Sequence, residues 1–354
     1  MIKKECFTAE WIEQVSSELH YNDKNLIEKV IRALSLLEML VKAGCPLVFK
    51  GGTALMLILG KSAHRLSIDI DLICPPGTNI EDYLKSFADF GFINLELVER
   101  KQRDDADIPK SHSKFFYQIA YRNDTDAQSY ILLDVLYEDI HYFRTQQIAI
   151  NCPFIRLEGK PLMVTVPSAE DILGDKLTAF APNTTGIPYY KNGRSCSMEI
   201  AKQLYDVGRL FENVSDLQIT KEAFRKIAVV ELSYRSFGTD IGQVFNDIRQ
   251  TALCISTRGK AGEGDFDLIQ DGIIRVKSFM YKQRYLIDHA IIDAARAAYL
   301  ATLIEKGINE IESYSNNPAD IKDMVIRPSL PNKLNKLRSN LPEAYYYWAK
   351  TSEL

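Results

Sequence analysis

Residues 49–73, FKGGTALMLILGKSAHRLSIDIDLI, decide how this chain folds. The preceding apolar run, PLVFK at 46–50, predicts a short buried strand that stops at the pair Gly51 and Gly52. TALMLIL at 53–59 then predicts a short helix, and SIDIDLI at 67–73 alternates with the period of a strand. That period puts Asp69 and Asp71 on one face and Ile68, Ile70 and Leu72 on the other, towards a core. Two neighbouring carboxylates repel, and a cation relieves them. Magnesium suits the pair, because it binds through one or two carboxylates together with substrate phosphates. The glycine pair lets backbone amides approach an anion closely, with a helix N-terminus and the Thr53 hydroxyl aimed at it. A tight turn capped by Thr53 reads the same residues equally well. GKS at 60–62 imitates the end of a P-loop, but the position five before Gly60 is Leu55, so a Walker-type site is excluded. Arg65 is able to steady a phosphate, although His64 and Arg65 read more simply as a solvent-facing cap before the strand.

Working outward, TAEWIEQVSSELH and KNLIEKVIRALSLLEMLVKAG predict two leading helices, the second with Leu26, Val30, Ala33, Leu37 and Leu40 on one face and a stop at Gly44. NIEDYLKSFADFG predicts a helix closed by Gly91, followed by strands in INLELVERK, SKFFYQIAYR, SYILLDVLYE and QQIAI, with turn residues such as RNDTDAQ between them. From Ser168 the pattern is helical: SAEDILGDKLTAFA, MEIAKQLYDVGRLFE, KEAFRKIAVVEL, GQVFNDIRQTALCIS, FDLIQDGIIRVKSFM and YLIDHAIIDAARAAYLATLIEKGINEIE. Ser168 stands three residues ahead of Asp171, a capping-box-like spacing that marks the boundary. The reading is a helical cap over 1–45, a mixed α/β domain over 46–167 and a helical domain over 168–354. The segment PNTTGIPYYKNGRSCS reads as a loop within the last.

The chain has 354 residues, 46% hydrophobic and 25% charged, which is the composition of an ordinary globular protein with room for two domains. A net charge of −4 offers no global attraction for nucleic acid or membrane, so a polyanion would need a local basic patch. The opening MIKKECFTAEWIEQ lacks the apolar core of a signal peptide, and no run approaches the roughly 18 apolar residues of a membrane span. The expectation is a cytoplasmic protein without membrane partners. Its six cysteines are scattered without CxxC pairs and read as buried free thiols.

Asp134 lies in YILLDVLYE, apolar on both sides, and is therefore expected inside the sheet region. A third carboxylate on an adjacent strand would complete a two-metal site, which polarises an attacked phosphorus, helps to activate a hydroxyl and stabilises a leaving pyrophosphate. The plain alternatives are a strand end for the Asp-x-Asp pair and a buried hydrogen-bonding role for Asp134.

A strand, a Gly-Gly-Thr turn, a short helix, an Asp-x-Asp strand and a later strand aspartate resemble the nucleotidyltransferase superfamily related to DNA polymerase beta. FKGGTAL, HRLSIDIDL, EDILGDKLTAF and KQLYDVGRL are similar to the four successive motifs of the AbiEii/AbiGii toxin family, the nucleotidyltransferase component of bacterial type IV toxin–antitoxin and phage-abortive systems. The resemblance spans roughly residues 45 to 215. It implies an α+β fold, with a polymerase beta-like mixed-sheet nucleotidyltransferase domain followed by a helical bundle. It implies an NTP substrate, two Mg2+ ions held by Asp69, Asp71 and Asp134, and phosphate binding by Gly52, Thr53 and Lys176, to which the reading of the residues themselves adds Gly51 and Arg65. Asp206 matches the aspartate of the last motif. The implied acceptor is RNA, with a tRNA 3′ end favoured, and the implied partner is an antitoxin protein encoded nearby. The alternatives are transfer to a small molecule or a protein, and a regulator that binds NTP without turnover. Family members often carry Asp three residues before the last motif aspartate, where this chain has Gln203.

On an amphipathic helix, Lys176 is placed to reach a triphosphate or simply to snorkel from the helix flank. Asp206 is placed to orient Lys176 or to pair with Lys202 at i−4. Tyr189, Tyr190, Lys191 and Arg194 form a basic, aromatic stretch of the kind that meets nucleic acid, and KLNKLR at 333–338 beside EAYYYWAK is a second one.

Overall fold

The computed structural model describes residues 1–98, 110–121, 127–214, 216–235, 238 and 240–354. The expected turn at 122–126 and the end of the expected strand at 99–101 lie outside the described residues. The chain forms two compact units, one of residues 1–168 with 278–284 and the other of 169–277 with 285–354.

In the first unit, helices α1 (Ala9–Glu18) and α2 (Lys24–Lys42) start where Thr8 and Asp23 side chains accept from the amides of Trp11 and Leu26. Leu26, Val30, Ala33, Leu37 and Leu40 of α2 are all buried, as their spacing predicts. Strands β1 (Val48–Lys50), β2 (Ile70–Cys74), β3 (Asn94–Val98), β4 (Lys110–Gln118) and β5 (Gln128–Tyr137) make one mixed sheet in the order β1-β2-β5-β4-β3, with helix α3 (Gly51–Leu59) between β1 and β2. Only β2 and β5 run parallel, and the other pairs are antiparallel. One sheet face carries Phe49, Ile70, Leu72, Leu133, Val135 and Phe115, each 2% exposed or less, and builds the core. The other face carries the charges described below.

In its secondary structure the first unit departs from the sequence reading in three places. The helix expected at 79–91 is instead two 3-10 turns, Ile80–Tyr83 and Phe87–Phe90. The end of the second is held from α2, where Ser35 Oγ donates to the Phe90 carbonyl and Arg32 Nη1 to the Gly91 carbonyl. A second sheet was not expected: β6 (Thr145–Ala149) pairs with β7 (Met163–Pro167), whose alternation is only five residues long and closes on a proline. Asp69 precedes β2 rather than lying within it.

The second unit contains α4 (Ala169–Ala179), the hairpin β8 (Tyr190–Lys191) and β9 (Arg194–Ser195), α5 (Ser197–Phe211), α6 (Gln218–Tyr234), α7 (Gly242–Ser256), α8 (Phe266–Val276), α9 (Ile287–Lys306), α10 (Leu337–Asn340) and α11 (Pro342–Glu353). Alanines 290, 294, 295, 297, 298 and 301 line α9 at 0% exposure, so α5, α7 and α11 can close on it. The EAYYYWAK tail is core rather than surface: Tyr345, Tyr346, Tyr347 and Trp348 are buried, and Trp348 Nε1 donates to Ser256 Oγ. The neighbouring 333–338 run therefore has no exposed rings beside it, and Lys333 and Arg338 donate to the carbonyls of Lys260 and Ile321. No helix among the described residues is long and apolar enough to cross a membrane.

Within this unit Gly208 of α5 faces Asp293 of α9, a carboxylate 1% exposed beside Arg209 and Arg296. A Cβ at Gly208 would stand 2.0 Å from Asp293 Oδ1. The carboxylate cannot retreat without loosening its cations, so Gly208→Ala is expected to cost about 3 kcal/mol in urea unfolding. A variant as stable as the wild type would contradict this packing.

Candidate active site

Strand register aligns four polar residues across the open sheet face. Lys50 of β1 pairs with Asp71 of β2, Asp71 with Asp134 of β5, and Asp134 with His112 of β4. Register partners project to the same side, a few ångströms apart, so this row alternates a cation, two carboxylates and an imidazole. Apolar Ile70, Leu72, Leu133 and Val135 on the opposite face anchor it, which is why single polar residues survive within such apolar strands.

The glycine turn closes one end of the row. Gly51 has φ +77°, and a Cβ there would lie 2.1 Å from Asp71 Oδ2, so both the backbone conformation and the approach of the carboxylate require glycine. At Gly52 a Cβ would lie 2.7 Å from Ser67 Oγ and 2.9 Å from Arg65 Nη2. Helix α3 begins at Gly51 directly after β1, and the side chain of its N-cap residue, Lys50, makes no capping hydrogen bond; a helix start of this kind turns its first amides towards an anion.

Two expectations change here. Thr53 is fully buried and its hydroxyl donates to the Asp69 carbonyl at 2.7 Å. Its proton is used to hold the Asp-x-Asp segment against α3. Arg65 is not a solvent-facing cap: it is 7% exposed and donates to the Leu66 carbonyl at 2.9 Å. The return of residues 278–284 buries it, with Leu66 N bonded to the Phe279 carbonyl, Tyr281 N to the His64 carbonyl, and the Tyr281 hydroxyl to the Ala63 carbonyl.

Three residues of this region were not singled out in the sequence. His112 Nδ1 is hydrogen-bonded to Asp134 Oδ1, while among the described residues its buried Nε2 has no partner. Lys50 sits inside the opening stretch itself. Lys29 of α2 is pulled below its ordinary pKa by burial, a pull that the Asp69 carboxylate opposes. Only Lys50 carried a signal, as the charged residue that ends an apolar strand.

Asp71 and Asp134 offer oxygen alone from adjacent strands, a donor chemistry that suits a hard divalent cation, with Asp69 immediately before β2. Among the described residues no three His, Cys, Asp or Glu side chains converge as a metal cluster. In the second unit, Lys176 of α4 forms a buried ion pair with Asp206 of α5 at 3.0 Å and donates to Gln203 at 2.9 Å. Gln203 thus supplies a hydrogen bond from the position where the sequence departs from the resemblance.

A family model described as nucleotidyl transferase AbiEii toxin, type IV TA system, matches residues 34–319. No curated protein matches the chain. Among solved structures, JHP933 from Helicobacter pylori is 17% identical, with 79% of this chain and 94% of that chain covered and a TM-score of 0.42. MenT4, a nucleotidyltransferase toxin from Mycobacterium tuberculosis, is 12% identical, with 83% and 89% covered and a TM-score of 0.46.

Proposed function

The chain belongs to the AbiEii family of nucleotidyltransferase toxins of type IV toxin–antitoxin systems, and from that premise we propose that it transfers a nucleoside monophosphate from an NTP to a hydroxyl of RNA, with a tRNA 3′ end as the favoured acceptor. The observation that carries the reading is Asp71, in register with Asp134 and packed against Gly51 at the start of α3. This supports the reading, because a carboxylate pair beside a helix start is what a nucleotide polyphosphate requires.

In the proposed reaction an acceptor hydroxyl oxygen attacks the α-phosphorus, its proton passes to solvent water, and the bond from the α-phosphorus to the oxygen bridging it to the β-phosphate breaks to release pyrophosphate. The α3 amides bind phosphate oxygens, and the Arg65 guanidinium beside Gly52 offsets their charge. Thr53 keeps Asp69 in place through its carbonyl. Asp69, Asp71 and Asp134 are the proposed holders of magnesium, which when bound would lower the charge on the phosphates and the pKa of the attacking hydroxyl. Lys176 and Asp206 keep, as proposals, the phosphate-contact and supporting roles that their motifs imply. Family membership also implies an antitoxin partner.

Purified protein incubated with four labelled NTPs, magnesium and bulk tRNA is expected to place label in the tRNA band on a gel, and chelation with EDTA to abolish it. Label appearing in protein or a small molecule but never in RNA would overturn the acceptor.

A further inference from the structure

Tyr130 of β5 is 39% exposed, with its ring 5.7 Å from Phe116 of β4. The Lys29 and Lys114 ammonium groups each lie 5.5 Å from its centroid. Tyr130 is four residues from Asp134 on the same strand, so it shares the charged sheet face at about 13 Å along the strand. Register brings Lys114 opposite Leu132, between the two. Burial holds the Lys29 pKa below its ordinary value, a pull that Asp69 and Asp23 oppose through space.

The topology separates this cluster from the glycine turn. In the order β1-β2-β5-β4-β3, the turn follows β1, beside β2, whereas Tyr130 lies on β5 itself and Lys114 on β4 beyond it. A two-substrate site needs two such flanks. Acidic neighbours meet the cluster only loosely: Glu96 lies 3.6 Å from Lys114 with the glutamate side chain half exposed, a weak pair, and Asp69 and Asp23 act on Lys29 through space.

We propose that Lys29, Lys114 and Tyr130 hold the end of the acceptor strand, with an unstacked base against the Tyr130 ring and the adjoining phosphates on the two ammonium groups. This rests on the nucleotidyl-transfer reading above. A ring with nearby cations fits single-stranded RNA, since every base has a face to stack and every linkage a charge to meet. The lysines hold the exposed ring only weakly and are free to shift to a phosphate. They also counter the repulsion that Asp69, Asp71 and Asp134 exert on an approaching polyanion.

Fluorescence anisotropy with a labelled single-stranded RNA octamer, without NTP, tests the assignment. Tyr130→Ala is expected to weaken binding about tenfold or more, while Tyr130→Phe binds like the wild type. Lys29→Gln and Lys114→Gln are each expected to reduce the slope of log affinity against log salt by about 0.7. An octamer lacking its terminal bases is expected to bind wild type and Tyr130→Ala alike. The proposal is overturned if Tyr130→Ala binds the intact octamer as the wild type does, or if the wild type does not bind it. It is also overturned if Tyr130→Ala instead loses affinity for a non-hydrolysable NTP in calorimetry, which assigns the ring to the incoming nucleotide. The two readings fail separately. RNA binding through Tyr130 without label transfer removes nucleotidyl transfer to RNA and keeps the platform, whereas transfer by a Tyr130→Ala variant of unchanged RNA affinity removes the platform alone.

Discussion

Asp71→Asn is expected to lower nucleotide incorporation by on the order of 10²–10³-fold without a comparable loss of stability. The amide keeps the shape of a side chain packed against Gly51, so the turn between β1 and α3 survives. What disappears is one of two negative charges aligned in the row Lys50–Asp71–Asp134–His112. Asp71→Glu is expected to fail as well, although the charge is kept. The extra methylene has no room beside Gly51, and a carboxylate displaced by about 1 Å is costly to reactions that depend on positioning, by about 10²-fold. Steady-state incorporation together with a thermal melt decides the matter. A folded Asp71→Asn protein with the wild-type rate would remove the row from the active site.

Lys176→Met is expected to destabilise the protein by about 3–5 kcal/mol, because it leaves the Asp206 carboxylate buried without its cation. Loss of activity in that variant alone would then say nothing about phosphate contact. Lys176→Met combined with Asp206→Leu separates the two roles, since replacing both members of a buried pair by apolar side chains is often neutral or stabilising. Urea unfolding is expected to show most of the stability restored in the double variant. If Lys176 serves the triphosphate, KM for NTP stays raised after that recovery. If the pair serves packing alone, activity returns with stability. A single Lys176→Met variant as stable as the wild type would contradict the buried pair itself.

The stretch 49–73 was legible because its signals are local. A glycine at φ +77° has few substitutes, and alternation in SIDIDLI separates Asp71 from the apolar side, where Ile70 and Leu72 are buried. The apolar face of α2 is legible for the same reason. Other features resisted because their causes are distant. Residues 79–91 have the composition of a helix, yet side chains of α2 bond the carbonyls of Phe90 and Gly91 and leave two short turns. The aromatic tail 345–348 looked like a surface for nucleic acid and is instead the packing of the second unit.

What the sequence alone determined is therefore the strand–turn–helix–strand order, the sidedness of Asp71 and the motif order that identifies the family. Backbone dihedral preference and hydrophobic period act over a few residues, and both are written directly in residue types. Tertiary structure alone decided the partners. It paired His112 with Asp134 across 22 residues, turned the Thr53 hydroxyl onto the Asp69 carbonyl, and buried Arg65 beneath residues 278–284. A buried polar group left unpaired costs roughly 1–3 kcal/mol, so each takes whichever donor or acceptor the neighbouring element brings within reach. That choice depends on strand register and chain return, which no local pattern encodes.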